Sequence, residues 1–247
     1  MKRRVILAAA LAAPALLRAR RGSAAEPVDV ELILAVDVSR SVDTEEQEMQ
    51  FRGYAEAFRD PRLAEGIAGG PLGAIGCLMF IWSDWNVQKV VTPWTRLDGA
   101  AACNDFADRI AAAPRETFLY TSISGAVDFA AKQFGQAFEG TRHVVDISGD
   151  GVNNSGRPLA EAREEALAQG IVLNGLAVVD HNPSSLAAAT ALPPLDAYYR
   201  DEVIGGPGSF LVVAEGFAAF GTAVRRKIIR EIALAPPPGP QVERVLT

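Results

Sequence analysis

The chain has 247 residues, 49% of them hydrophobic and 22% charged, enough for one medium globular domain or at most two small ones with a full buried core. Residues 1–25 hold six of the 24 basic residues and none of the 30 acidic ones, so the remainder carries a net charge of −12. A field of that sign repels phosphate backbones and anionic lipid heads, which argues against nucleic acid as a partner.

In chain order, Met1-Lys2-Arg3-Arg4 is a basic start, Val5 to Leu17 is an apolar run, and Ser23-Ala24-Ala25 offers small residues for cleavage before Glu26. This reads as a signal peptide over 1–25, which directs the mature protein to the periplasm or the exterior. The run is shorter than the ~20 residues a membrane-spanning helix needs, so no stable span is expected after cleavage, although retention of the segment as an anchor stays open. Arg3-Arg4 also resembles a twin-arginine signal, and Arg18, Arg20 and Arg21 follow the apolar run, so either general or folded-state export fits.

Val28 to Val36 turns from alternating to continuously apolar, as a strand does on entering a covered sheet. Asp43-Thr44-Glu45-Glu46 starts a helix whose apolar residues recur at helical spacing until Asp60-Pro61 stops it. Ala74 to Trp82 and Val87 to Trp94 are predicted to pair as an antiparallel hairpin, with Trp82, Trp85 and Trp94 packing around it. Helices follow at 104–112 and 122–134, then a strand at 143–148, a helix at 159–169 and a strand at 171–179. A short strand at 210–214 leads to a last helix with Phe217, Phe220, Val224, Ile228 and Ile232 on one face. Arg225, Arg226, Lys227 and Arg230 are read as its solvated side. The predicted class is therefore α/β, a doubly wound, mainly parallel sheet with one antiparallel strand and helices on both faces. Residues 26–234 make up the domain, and 235–247, opening on Pro236-Pro237-Pro238-Gly239-Pro240, are expected to be a flexible tail. Cys77 and Cys103, an even pair in an exported chain, are expected to form a disulfide.

The chemistry gathers where strands end. Asp37-Val38-Ser39-Arg40-Ser41 places one carboxylate and two hydroxyls beyond the first strand, Thr121 stands at a helix start, and Asp150 lies between two glycines after the strand 143–148. All are hard oxygen donors at positions where an α/β sheet presents its ligands. A few carboxylates and hydroxyls with an open position suit magnesium, with manganese or calcium as alternatives. An aspartate and serines after a strand are, taken alone, more often a turn or a cap. Three loops converging with the same donor chemistry is what a turn does not explain.

Asp37-x-Ser39-x-Ser41, then Thr121, then Asp150-Gly151 after an apolar strand resembles the metal-ion-dependent adhesion site (MIDAS) of von Willebrand factor A (vWA) domains. Phe118 to Ala126, Gly205 to Gly208 and the closing helix are similar to an uncharacterised family of exported bacterial proteins with this domain. The resemblance implies a non-enzymatic binding module in which Asp37, Ser39, Ser41, Thr121 and Asp150 hold a divalent cation and a protein or other acidic partner offers it a carboxylate. Tyr120 departs from the pattern, since glycine commonly precedes the threonine. Two other readings stand beside it: an envelope scaffold with a vestigial metal site, and a metal-dependent hydrolase. Against the latter, Ser39 stands where haloacid dehalogenase-like enzymes have their general acid, and the nucleophile elbow, the phosphate loop and the dinucleotide loop have no match.

Overall fold

The computed structural model describes residues 25–179, 193–232 and 241–246, so the leader read over 1–25 lies outside the described residues except for Ala25. After a short strand β1 (Glu26–Val28), Glu31–Asp37 forms β2, every residue of which is buried. Helix α1 (Thr44–Phe58) starts on a capping box in which Asp43 and Glu46 each accept the other's backbone N–H. Asp60-Pro61 stops it and at the same time starts α2 (Pro61–Ala68): Asp60 Oδ1 accepts from Arg62 N at 3.0 Å, and proline suits the first helical position.

Strands β3 (Ile75–Trp82) and β4 (Gln88–Leu97) form the expected antiparallel hairpin, followed by α3 (Ala100–Ala112) and α4 (Ile123–Ala131). A short β5 (Phe138–Gly140) pairs in parallel with β1. Then come β6 (His143–Gly149), α5 (Leu159–Ala168), β7 (Ile171–Val179), and a helical turn α6 (Leu195–Tyr198) that continues as a π-helical turn to Val203. Strand β8 (Phe210–Glu215) and helix α7 (Phe220–Ile232) complete the layers. Where the sequence suggests a flexible tail, Gln241–Val245 forms β9 in parallel register on β8; Val245 is buried and Glu243 pairs with Arg226 of α7.

The main sheet runs β4-β3-β2-β6-β7-β8-β9, parallel except at β3–β4. Alternate residues of each strand serve two cores. Leu32, Leu34, Val36, Met79, Val144 and Val212 pack against α1, α2, α3 and α7; Ile33, Ala35, Phe80, Val145, Ile147 and Val213 pack against α4, α5 and the turn carrying Tyr199. From β2 the chain builds outward on one side through β3 and β4, and on the other through β6, β7 and β8. The crevice where that order reverses, between β2 and β6, is where such sheets bind ligands. No helix among the described residues is long and apolar enough to cross a membrane.

The expected disulfide is absent: Cys77 and Cys103 are free thiols, both buried in the core shared with α1 and α3. Burial raises both thiols, Cys103 to about 11, so they stay protonated and pack as small apolar side chains out of reach of solvent oxidants. A thiol reagent is expected to find no reactive cysteine in the native protein and two after unfolding without reductant; none after unfolding would restore the disulfide.

Candidate metal centre

Asp37 ends β2 and is fully buried. Its Oδ1 accepts the Ser39 N–H at 2.7 Å, which turns the chain at once and directs the Ser39 and Ser41 hydroxyls to the same side, 3.2 Å apart. Ser41 donates to Asp150 Oδ1 at 2.7 Å, tying the loop after β2 to the loop after β6 across the crevice. Thr121 lies just before α4; its N–H donates to Asn154 Oδ1 at 2.8 Å and its carbonyl accepts from Asn154 N at 2.8 Å. A Cβ on Gly151 would come within 3.4 Å of Thr121 Oγ1, so that hydroxyl faces the Asp150 loop. The three loops that carry these five residues therefore meet at one end of the crevice.

Electrostatics mark the spot. Burial raises the Asp37 carboxyl well above its ordinary range, and Asp150 beside it adds to the effect. Asp37 Oδ2 is buried with no hydrogen-bond partner. A carboxylate in that position lacks its counter-charge, and a divalent cation supplies one while accepting hydroxyl oxygens from Ser39, Ser41 and Thr121. The donor set fits such an ion. Among the described residues no group of three or more His, Cys, Asp or Glu could hold a metal, so the site rests on two carboxylates and hydroxyls, as hard cations accept.

Two further residues, not singled out in the sequence, lie against Asp37. Tyr199, fully buried in the π-helical turn, has a hydroxyl with no partner. A Cβ added to Gly149 would sit 2.7 Å from that hydroxyl and 2.8 Å from Asp37 Oδ2, so both orphaned oxygens reach toward one glycine. No local pattern around Tyr199 announces this, because its place depends on how the 195–203 segment packs under the β6 end. Gly149→Ala is expected to overpack this point, cost about 1–3 kcal/mol in chemical denaturation and displace the Asp37 carboxylate. Unchanged stability would show the approach to be loose.

A groove of about 400 Å³ between α1 and the start of α7 is lined by none of these donors. His143 stands at the opposite end of β6 from Asp150, too remote to serve the site as an acid or base.

None of the curated proteins compared matches the chain. Solved structures do. Proximal thread matrix protein 1 from the mussel byssus superposes with a TM-score of 0.60 at 16% identity over 85% of this chain; a form of it with a zinc-occupied MIDAS motif gives 0.57. This chain spans about half (49%) of that protein's length. BatB from Bacteroides thetaiotaomicron gives 0.53 at 17% identity, covering 83% of this chain and 100% of its own. A von Willebrand factor type A structure from Catenulispora acidiphila gives 0.52 at 15%, over 83% of this chain and 43% of that one. At these identities the likeness is one of fold, and the fold is that of a vWA domain. Residues 27–236 match the family model described as protein of unknown function (DUF1194), and the chain belongs to that family.

Proposed function

We propose that the chain is an exported, non-enzymatic binding module that captures an acidic group of a partner protein through a divalent cation held by Asp37, Ser39, Ser41, Thr121 and Asp150. The observation that carries this reading is the buried, partnerless Asp37 Oδ2 facing a second carboxylate loop at the sheet's crevice. When bound, the cation supplies an electrophilic point for a carboxylate. The protein's own part is to hold it: Asp37 and Asp150 neutralise it, Ser39, Ser41 and Thr121 orient it, and the Asn154 latch keeps the Thr121 loop in place. The zinc-occupied MIDAS of the mussel protein supports a divalent ion on this fold, and magnesium is the first choice for two carboxylates with hydroxyls. Export and maturation near Glu26 rest on the basic start, the apolar run and Ser23-Ala24-Ala25.

The test uses immobilised mature protein and solubilised envelope extract, with millimolar magnesium or with chelator. A partner retained in magnesium, released by chelator and not retained by Asp150→Asn is expected. Retention indifferent to chelator would favour the scaffold reading, and turnover of phosphoesters by purified protein would favour the hydrolase.

A further inference from the structure

The ends of the loops around the candidate metal centre carry apolar side chains that the fold does not cover. Trp85 is 62% exposed, Leu119 66% and Tyr120 51%. The remaining exposed large hydrophobics of the described residues, Leu72, Val90, Val242 and Leu246, lie on the α2–β3 connection or on the edge strands and beyond. Single exposed apolar residues are ordinary, whereas three on linked loops at one end of a fold mark a contact surface.

The loops are linked, and firmly. Ser83 donates its hydroxyl to the Tyr120 carbonyl, Ser122 N donates to Ser83 O at 2.6 Å, and Phe118 N donates to Val38 O at 3.1 Å. Asp84 takes the Ser155 hydroxyl and, at 2.8 Å, the Trp85 N–H. Gly125 and Gly156 approach so closely that a Cβ on either would come within about 3.1 Å of Trp85. The hairpin tip is thus clamped to α4 and to the loop after Asp150 while its indole stays in solvent. Beside it runs a groove of about 220 Å³ lined by Trp85, Ser124, Gly125, Asp128, Gly156 and Arg157. Large aromatic side chains on a backbone fixed before contact give much contact area for little ordering cost, which is why they dominate interfaces.

Arg40, exposed between Ser39 and Ser41, pairs with no acid among the described residues. With a divalent cation balancing Asp37 and Asp150, Arg40 offers a second positive contact for an acidic group.

Resting on the metal reading above, we propose that this end recognises a protein segment in which an Asp or Glu is flanked by aromatic or aliphatic residues. The carboxylate meets the cation and Arg40, and the apolar neighbours lie against Trp85, Leu119 and Tyr120. Tyr120 then does by its size what a glycine could not: it supplies contact area directly beside the ligand Thr121.

The probes are the blocked peptides Gly-Phe-Asp-Leu-Gly, Gly-Ser-Asp-Ser-Gly and Gly-Phe-Asn-Leu-Gly, titrated by calorimetry into the mature protein in magnesium. The Phe/Leu peptide is expected to bind about tenfold or more tighter than the Ser-flanked one, and the Asn peptide not measurably. The surface variant Trp85→Ser/Leu119→Ser/Tyr120→Ser should lose that preference while keeping the wild-type magnesium-dependent thermal shift. Equal affinity for the two acidic peptides, failure of all three to bind, or a preference that survives in the variant would overturn the proposal and leave the metal reading standing. Equal or tighter binding to phosphatidylglycerol vesicles would overturn it in favour of a lipid surface. Loss of the magnesium shift in the wild type itself would remove both readings.

Discussion

Lys227→Met is expected to destabilise the fold by about 3–5 kcal/mol, the cost of stripping one partner from a buried ion pair. Lys227 Nζ lies 2.6 Å from Asp146 Oδ1 on β6 and 2.5 Å from Glu231 Oε1 one helical turn on, and all three side chains are fully buried between α7 and the sheet. Asn174 Nδ2 donates to the same Glu231 oxygen at 3.1 Å, and Arg142 donates to the Glu231 carbonyl at 2.7 Å. Two acids share one ammonium, and Asp146 Oδ2 and Glu231 Oε2 have no hydrogen-bond partner. Burial, with Glu231 adding and Lys227 opposing, raises the Asp146 carboxyl to about 7 from an ordinary 3.8. The folded protein therefore binds this proton more tightly than the unfolded chain. The resulting stabilisation is full below about pH 4 and is lost as pH rises towards 7. Removing the lysine pushes Asp146 higher still, so the variant should lose more stability at pH 8 than at pH 5, and adding Asp146→Asn should recover part of it. Urea denaturation at both pH values checks this; an equal and small loss at both would show that the ion pair contributes little.

The second large effect is at Asp37. In the metal-free protein Asp37→Asn should leave stability unchanged or raise it, because it removes a buried carboxyl already pushed towards its neutral form by burial and by Asp150. In metal the order reverses. A ligand that binds only the folded form stabilises by about 2.7 kcal/mol at a hundredfold excess over Kd, roughly 5–10 °C in Tm for a chain of this size. Wild type should show that shift and Asp37→Asn should not, while Ser41→Ala keeps a smaller one, since a neutral hydroxyl holds a hard cation less strongly than a carboxylate. Thermal unfolding with magnesium, manganese, zinc or chelator reads it directly; an undiminished shift in Asp37→Asn would take Asp37 out of the site.

Much of this architecture is legible in the sequence, and the exceptions have physical causes. The continuous run Leu32 to Val36 announces a strand covered on both faces, and the structure buries it completely. Ile171–Val179 is a strand over the predicted range for the same reason. Strand β9 was hidden because it is an edge strand of five residues after a proline cluster, and the contacts that order it, the β8 backbone, Arg226, Glu215 and Asp196, are all distant in sequence. Lys227 reads locally as one of a basic run on a helix, yet its partner comes from β6, a contact that helical spacing cannot show. The signal was on the other side: a lone aspartate inside the apolar strand His143–Gly149 calls for a polar or charged partner from another element. Trp85 was expected in the core with Trp82, but it stands at the hairpin tip, where the turn points it to solvent. The placing of the candidate donors was legible because Asp37 ends a strand and the others lie in the loops after β2, before α4 and after β6, so their order along the chain already puts them at one edge of the sheet. Tyr199 and Gly149 were not, because their part in the site is a matter of close approach, which has no signature in one dimension.

The most direct test of the central claim is the anomalous difference map of crystals of the mature protein grown in manganese. A single strong peak bounded by Asp37, Ser39, Ser41, Thr121 and Asp150, lost in Asp37→Asn, is the predicted result. An ordered map of that crevice with no anomalous peak, and Asp37 Oδ2 satisfied by a solvent molecule instead, would contradict it.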